Sequence, residues 1–244
     1  MSTEVQRFTD SRTYLGNNLI FTENDFFRRT NPNGALLASS VAPTYVATHH
    51  KDVFEMVDVG TSKGKDTWSM AAAFVMHGVQ ARIRALDINR VVLAQAEQPY
   101  GLTLDDLAQK LPNWGLSRDC LDLFEAVDED HIQPGPLLRS MVTFGWHDIR
   151  EQPLPGENDC VVANNVLSYY ADCTDGRNRL HLRQATGHIA AGLQPGGVLS
   201  VSTYYGPFGP AFNTAGFTAI PDASPDPERP LFFAYVPAIA PAAA

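Results

Sequence analysis

One stretch constrains this chain more than any other. Phe54 to Val59 reads as a buried strand through Val57 and Val59. Gly60-Thr61-Ser62-Lys63-Gly64 follows, and then a helix-forming run from Asp66 and Thr67 through Trp68 to Phe74. Glycines at both ends of the turn let the backbone reverse sharply and let a ligand come close. A nucleotide-like ligand at such a turn meets backbone N–H groups and a helix N-terminus. Ordinary strand-to-helix turns use the same residues. A second element separates the readings. Ala81 to Leu86 is the next strand, and Asp87, 23 residues after Gly64, stands at its tip. A carboxylate there accepts from ribose hydroxyls. The competing role for Asp87 is to cap the helical run Val91 to Ala96.

Strands then alternate with helices. Met141 to Phe144, Cys160 to Ala163 and Val198 to Tyr204 read as strands, and Arg177 to Leu193 reads as a helix stopped by Gln194-Pro195-Gly196-Gly197. Phe217 to Ile220 and Leu231 to Val236 suit a terminal antiparallel pair. The expected class is α/β, a doubly wound Rossmann-like sheet with that terminal pair and a small inserted subdomain. The insertion is residues 100–139, where Leu104, Leu107 and Leu111, and again Leu121, Phe124 and Val127, recur at helical spacing. The expected division is a cap or lid at 1–49, a core of 50–99 with 140–237, the insertion at 100–139, and a frayed tail at 238–244. Asn31-Pro32-Asn33-Gly34 reads as a turn, and Ala35 to Thr48, broken by Pro43, as a helix against the sheet. Ligands in such folds bind at the C-terminal ends of the strands, where Gly60, Asp87, Asp148 and Asn165 fall.

The 244 residues, 44% of them hydrophobic, suffice for one sizeable core. A formal charge of −9 argues against nucleic acid as a partner. No apolar run reaches membrane-spanning length, and the polar segment Met1 to Arg12 lacks a signal-peptide core. Cys120, Cys160 and Cys173 have neither even number nor CxxC spacing. That pattern fits a reducing cytoplasm without a zinc site. His181 and His188 lie seven residues apart with no third ligand in view, so no metal is expected.

Several motifs together resemble class I S-adenosylmethionine-dependent methyltransferases, and among them the CheR-type enzymes that esterify glutamates on bacterial chemoreceptors. Asn24-Asp25-Phe26-Phe27-Arg28 is similar to that family's Thr-x-Phe-Phe-Arg, and Ser62 to Ser69 to its Ser-Thr-Gly-Glu-Glu-Pro-Tyr-Ser. Ala85 to Asn89 is similar to Ser-Asp-Ile-Asp, with Asp87 on the ribose position; Asp148-Ile149 stands at its Asn-Leu. Asn164 to Tyr170 is similar to Arg-Asn-Val-x-Ile-Tyr-Phe, and Leu193 to Gly197 to Leu-Lys-Pro-Gly-Gly. The chain departs from the pattern at Asn164, where the family has Arg, at Lys65, where it has Glu, and at Ser202 to Tyr205. Only about 20 residues precede the Phe-Phe-Arg signature, so the family's N-terminal helical domain is expected to be missing.

The resemblance implies S-adenosylmethionine as cofactor and S-adenosylhomocysteine as product. It implies cofactor contacts from Thr22, Asn24, Arg28, Gly60, Asp66, Asp87, Asp148, Ile149, Asn164 and Asn165. Asp66 or Asp58 would hold the methionyl ammonium, Arg28 a methionyl or substrate carboxylate, and Asp148 with the Ile149 N–H the adenine. Arg28, Tyr169 and His147 are the candidate catalytic residues. His147, beside Trp146, suits a base for a hydroxyl or amine, or else simply packs. The acceptor is expected to be a small molecule, a carboxylate among the candidates, with room for a homo-oligomer. A protein glutamate and a purely cofactor-binding module are the alternatives.

Overall fold

A computed structural model describes residues 25–27, 32–164, 166–167, 176–201, 209–220 and 232–237. The chain divides into two compact units, Met1–His147 and Asp148–Ala244.

The first unit opens with helix α1 (Pro32–Leu36), a π-helical turn (Leu37–Val41) and helix α2 (Ala42–His49). The turn signal at Asn31-Pro32-Asn33-Gly34 is thus a helix start over its described part. Proline at a helix start needs no N–H partner. Gly34 is retained for packing: a Cβ there would sit 2.1 Å from Trp114 Cη2. Gly34→Ala is expected to destabilise the protein by about 1–3 kcal/mol through overpacking, read as a lower urea midpoint. Pro43 does not break the next helix, because the Ala42 N–H reaches back to Leu37 O and the wider π turn absorbs the missing donor.

Strand β1 (Phe54–Val59), helix α3 (Lys65–Met76), strand β2 (Ala81–Asp87) and helix α4 (Arg90–Ala96) follow as the sequence predicts. Then come β3 (Tyr100–Gly101), α5 (Leu104–Lys110), β4 (Phe124–Ala126), β5 (His131–Pro134), α6 (Pro136–Met141) and β6 (Val142–Trp146). The helical spacing of Leu121, Phe124 and Val127 does not make a helix. A short 3₁₀ run (Arg118–Leu123) gives way to β4, which pairs antiparallel with β5, and β5 with β3. In this unit β1, β2 and β6 pair in parallel, in the order β6-β2-β1. Residues 66–74 of α3 are all buried. Phe26 and Phe27 are core anchors, edge-on to Tyr100 and Phe124, and to Trp114 and Phe124, respectively.

The second unit holds β7 (Asn158–Val162), α7 (Gly176–Ala191), β8 (Leu193–Ser200), α8 (Gly209–Ala215), β9 (Phe217–Ala219) and β10 (Phe232–Tyr235). Their order is β7-β8-β10-β9, parallel at the first pairing and antiparallel at the other two. The terminal antiparallel pair is therefore present. Gln194 to Gly197 is not a stop outside the helix but a bulge inside β8. Asn158 pairs with Leu193 and Cys160 with Val198, so the intervening residues loop out, with Gly196 at φ 80°. The α/β class and its mostly parallel strands are those expected from the sequence. No helix among the described residues is long and apolar enough to cross a membrane.

Candidate functional site

The turn after β1 is built from left-handed residues: Gly60 (φ 74°), Ser62 (φ 53°) and Gly64 (φ 76°). Ser62 is the informative one. A serine held there costs energy, and such outliers gather where function requires them. Gly60 N–H and Thr61 N–H both donate to Leu86 O, at 2.7 and 3.2 Å, which locks the turn onto the tip of β2. Ser62 N–H donates to Asp87 Oδ2 at 2.9 Å, and Asn89 N–H to Asp87 Oδ1 at 2.8 Å. Asp87 does not cap α4; the Asn89 side chain does, accepting from Val91 N–H. The Ile88 N–H bonds the same carboxylate, and its roughly four lone-pair sites leave capacity beyond these backbone donors.

Three carboxylates are buried around this turn. Asp58, Asp66 and Asp87 are 3%, 7% and 6% exposed. Burial pushes the Asp58 carboxyl up to about 7, opposed by the Thr67 hydroxyl that donates to it and reinforced by the charges of Asp66 and Asp87. Asp87 is also raised, by burial, against the N–H groups that bond it. A concentration of buried negative charge beside a glycine turn suits a ligand with cationic groups and hydroxyls. Lys65 opens α3 above this cluster, its ammonium 6.0 Å from the Phe26 ring centre. Its pKa is lowered, chiefly by burial and further by Lys63 and Lys110.

Trp146 ends β6 as the register partner of Asp87, and His147 follows it. Trp146 Nε1–H donates to Ile88 O at 2.8 Å, and the Arg90 guanidinium lies 4.9 Å from its ring. His147 N–H donates to Asp87 O at 3.1 Å, so its backbone holds the β2 tip.

In the second unit Asp148 and Arg150 form a buried fork, Nε to Oδ1 at 2.9 Å and Nη2 to Oδ2 at 2.7 Å. The sequence reading missed Arg150. An acid and a base two residues apart were the available signal, but in a helix residues at that spacing do not face each other, so the spacing alone does not predict the pair. Ile149 is buried and its carbonyl accepts from His188 Nδ1 at 2.7 Å, which gives that histidine a packing role. Asn164 lies just past β7 with both side-chain amide atoms buried. Thr22, Asn24, Arg28, Asn165 and Tyr169 lie outside the described residues. Among the described residues no cluster of three or more potential metal ligands occurs.

The model of the CheR methyltransferase S-adenosylmethionine-binding domain matches residues 22–202. The chain belongs to this family. The turn fits the family's cofactor by the chemistry of its donor set, since buried carboxylates suit a sulfonium, an ammonium and a diol. S-adenosylmethionine is the cofactor. No curated protein matches the chain. Solved structures similar to it include the amino pentose methyltransferase CalS10 from Micromonospora echinaspora, at 19% identity over 70% of this chain and 51% of that one, TM-score 0.39. The glycopeptide N-methyltransferase MtfA bound to S-adenosylmethionine is 18% identical over 67% and 53%, TM-score 0.37. A methyltransferase from Clostridium acetobutylicum is 14% identical over 77% and 54%, TM-score 0.38. The chain spans about half the length of each.

Proposed function

We propose that this protein is an S-adenosylmethionine-dependent methyltransferase acting on an oxygen or nitrogen nucleophile of a small molecule. The observation that carries the reading is the ring of buried carboxylates, Asp58, Asp66 and Asp87, around the strained Gly60–Gly64 turn. The cofactor, when bound, supplies a methyl group on a positively charged sulfur. Asp87 holds the ribose, and Asp66 and Asp58 balance the positive charge. Gly60 lets the backbone approach. Arg28 and Tyr169 are assigned to acceptor positioning: a guanidinium clamp and a hydroxyl that align the nucleophile about 3–3.5 Å from the methyl group. His147 is the base where the nucleophile carries a proton.

Calorimetry with S-adenosylmethionine and S-adenosylhomocysteine tests the binding half. Absence of heat with both ligands overturns it. Methyl transfer to a pool of small acids, phenols and amines, against a glutamate-containing receptor peptide, tests the acceptor. Family membership favours the peptide as the second reading, and transfer to it alone would establish that one. The pH profile separates the chemistries. An ionised carboxylate acceptor gives a flat rate from about pH 6.5 to 8.5. A rise of about tenfold per pH unit that His147→Ala abolishes assigns a hydroxyl or amine acceptor.

A further inference from the structure

Two adjacent parallel strands of the second unit end in polar atoms that the fold leaves unmet. Both amide atoms of Asn164 and the hydroxyl of Ser200 are buried without a hydrogen-bond partner among the described residues. Buried polar side chains are nearly always paired, because desolvation without a compensating bond is costly. Here three such atoms lie in one neighbourhood. Val162 and Ser200 are register partners, and the Ala163 N–H donates to Ser200 O at 2.9 Å. Asn164 follows two residues past Val162, beyond the end of β7, so it lies at the same end of the paired strands as Ser200. That location is the carboxyl end of the strands, where ligands of parallel α/β folds sit.

The chemistry of the three atoms selects a ligand group. An amide offers donors and an acceptor together, and a hydroxyl offers either. A carboxylate would satisfy the Asn164 N–H donors and face its oxygen with another oxygen. An ammonium would do the reverse. A neutral carboxamide or alcohol satisfies both ends of Asn164. The cationic ends of the cofactor have a better match in the buried acids of the first unit.

We infer that Asn164 and Ser200 form a subsite for a neutral hydrogen-bonding group, a carboxamide or hydroxyl, on the methyl acceptor. This rests on the methyltransferase reading and moves Asn164 from the cofactor set to the acceptor set. It concerns a group that the acceptor carries apart from its nucleophile, whichever nucleophile takes the methyl.

The test is ligand-observed NMR on the full chain saturated with S-adenosylhomocysteine, using benzamide, benzyl alcohol and benzoate as probes. Benzamide or benzyl alcohol should bind at least about tenfold more tightly than benzoate. Asn164→Leu should remove that preference while the S-adenosylhomocysteine Kd stays within about twofold. Its urea midpoint should hold or rise, because an apolar side chain removes unmet polar atoms. Ser200→Ala is the second variant and should weaken the preferred probe several-fold; it decides the matter if Asn164→Leu does not fold. Equal or tighter binding of benzoate, no binding of any probe, or an unchanged preference in the variants overturns the subsite. So does a tenfold loss of S-adenosylhomocysteine affinity in Asn164→Leu, which returns the residue to the cofactor. If the wild-type chain binds no S-adenosylhomocysteine but keeps an Asn164-dependent amide preference, the methyltransferase reading fails and the subsite stands.

Discussion

Asp87→Ala should weaken S-adenosylhomocysteine binding by about tenfold to a hundredfold, on the order of 1.5–3 kcal/mol, as a carboxylate acceptor of two hydroxyls is lost. The substitution also removes the acceptor for Ser62 N–H and Asn89 N–H. Part of the loss therefore comes from a turn no longer pinned to the tip of β2, and alanine should lower the urea midpoint as well. Asp87→Asn separates the two contributions. Its side-chain oxygen still takes one backbone N–H, but its amide end repels the other donor and offers one acceptor fewer to a diol. Asparagine should thus recover more of the stability than of the affinity. Isothermal titration at fixed salt measures the affinity. A folded alanine variant with wild-type Kd would remove Asp87 from the cofactor site.

Asp58→Asn should stabilise the protein at neutral pH and weaken cofactor binding. The Asp58 carboxyl titrates near 7 in the folded chain and at about 3.8 when exposed. Between those values the folded state keeps a proton that the unfolded state has released. Stability therefore falls as pH rises from about 4 to about 7, and this contribution is constant above that. The full difference corresponds to about 4 kcal/mol, at roughly 1.4 kcal/mol per unit. Thr67, Thr61, Asp66 and Asp87 all act on the group, so part of the slope belongs to the cluster. Asparagine still accepts from the Thr67 hydroxyl and carries no charge. The stability of Asp58→Asn relative to wild type should rise by about 2–4 kcal/mol between pH 4 and pH 8 in urea melts. Parallel pH profiles for the two proteins would show that Asp58 is not the titrating group. Binding should move the opposite way. A cationic ligand favours the ionised carboxylate, so wild-type affinity should climb through pH 7 and that of Asp58→Asn should not.

The cluster has a place in both arguments because burial and function conflict there. Asp58, between the buried Val57 and Val59 of β1, costs folding stability wherever it is ionised without a cationic partner. The strained Ser62 in the same turn is a second local cost. Natural chains break local rules in this way at sites they use.

Much of this was legible in the sequence. Glycine spacing, β-branched runs and the acid at the tip of β2 placed β1, β2 and the start of α3 within a residue of their observed bounds. These signals are local: they act through backbone sterics and through the alternation of buried positions along a strand. The position of Asp87 at the tip of β2 was legible too, but not all of the partners that hold it. Asn89, two residues on, reaches it locally, but Ser62 reaches it only because the glycine turn is pinned to the strand tip by Leu86 O. Tertiary structure likewise decided the cases where local signals pointed elsewhere. Phe124 entered a strand because an edge of β5 was there to pair with, overriding its helical spacing. Gln194 to Gly197 became a bulge because Leu193 and Val198 each had a register partner on β7. Gly34 sits in a helix because Trp114, 80 residues on, needs the space. The unmet amide of Asn164 is of the same kind. Sequence shows an asparagine where the family has arginine, and only the packed strands show that nothing described in the fold answers it. Hydrogen-bond satisfaction is a property of three-dimensional neighbours, and no periodicity along the chain encodes it.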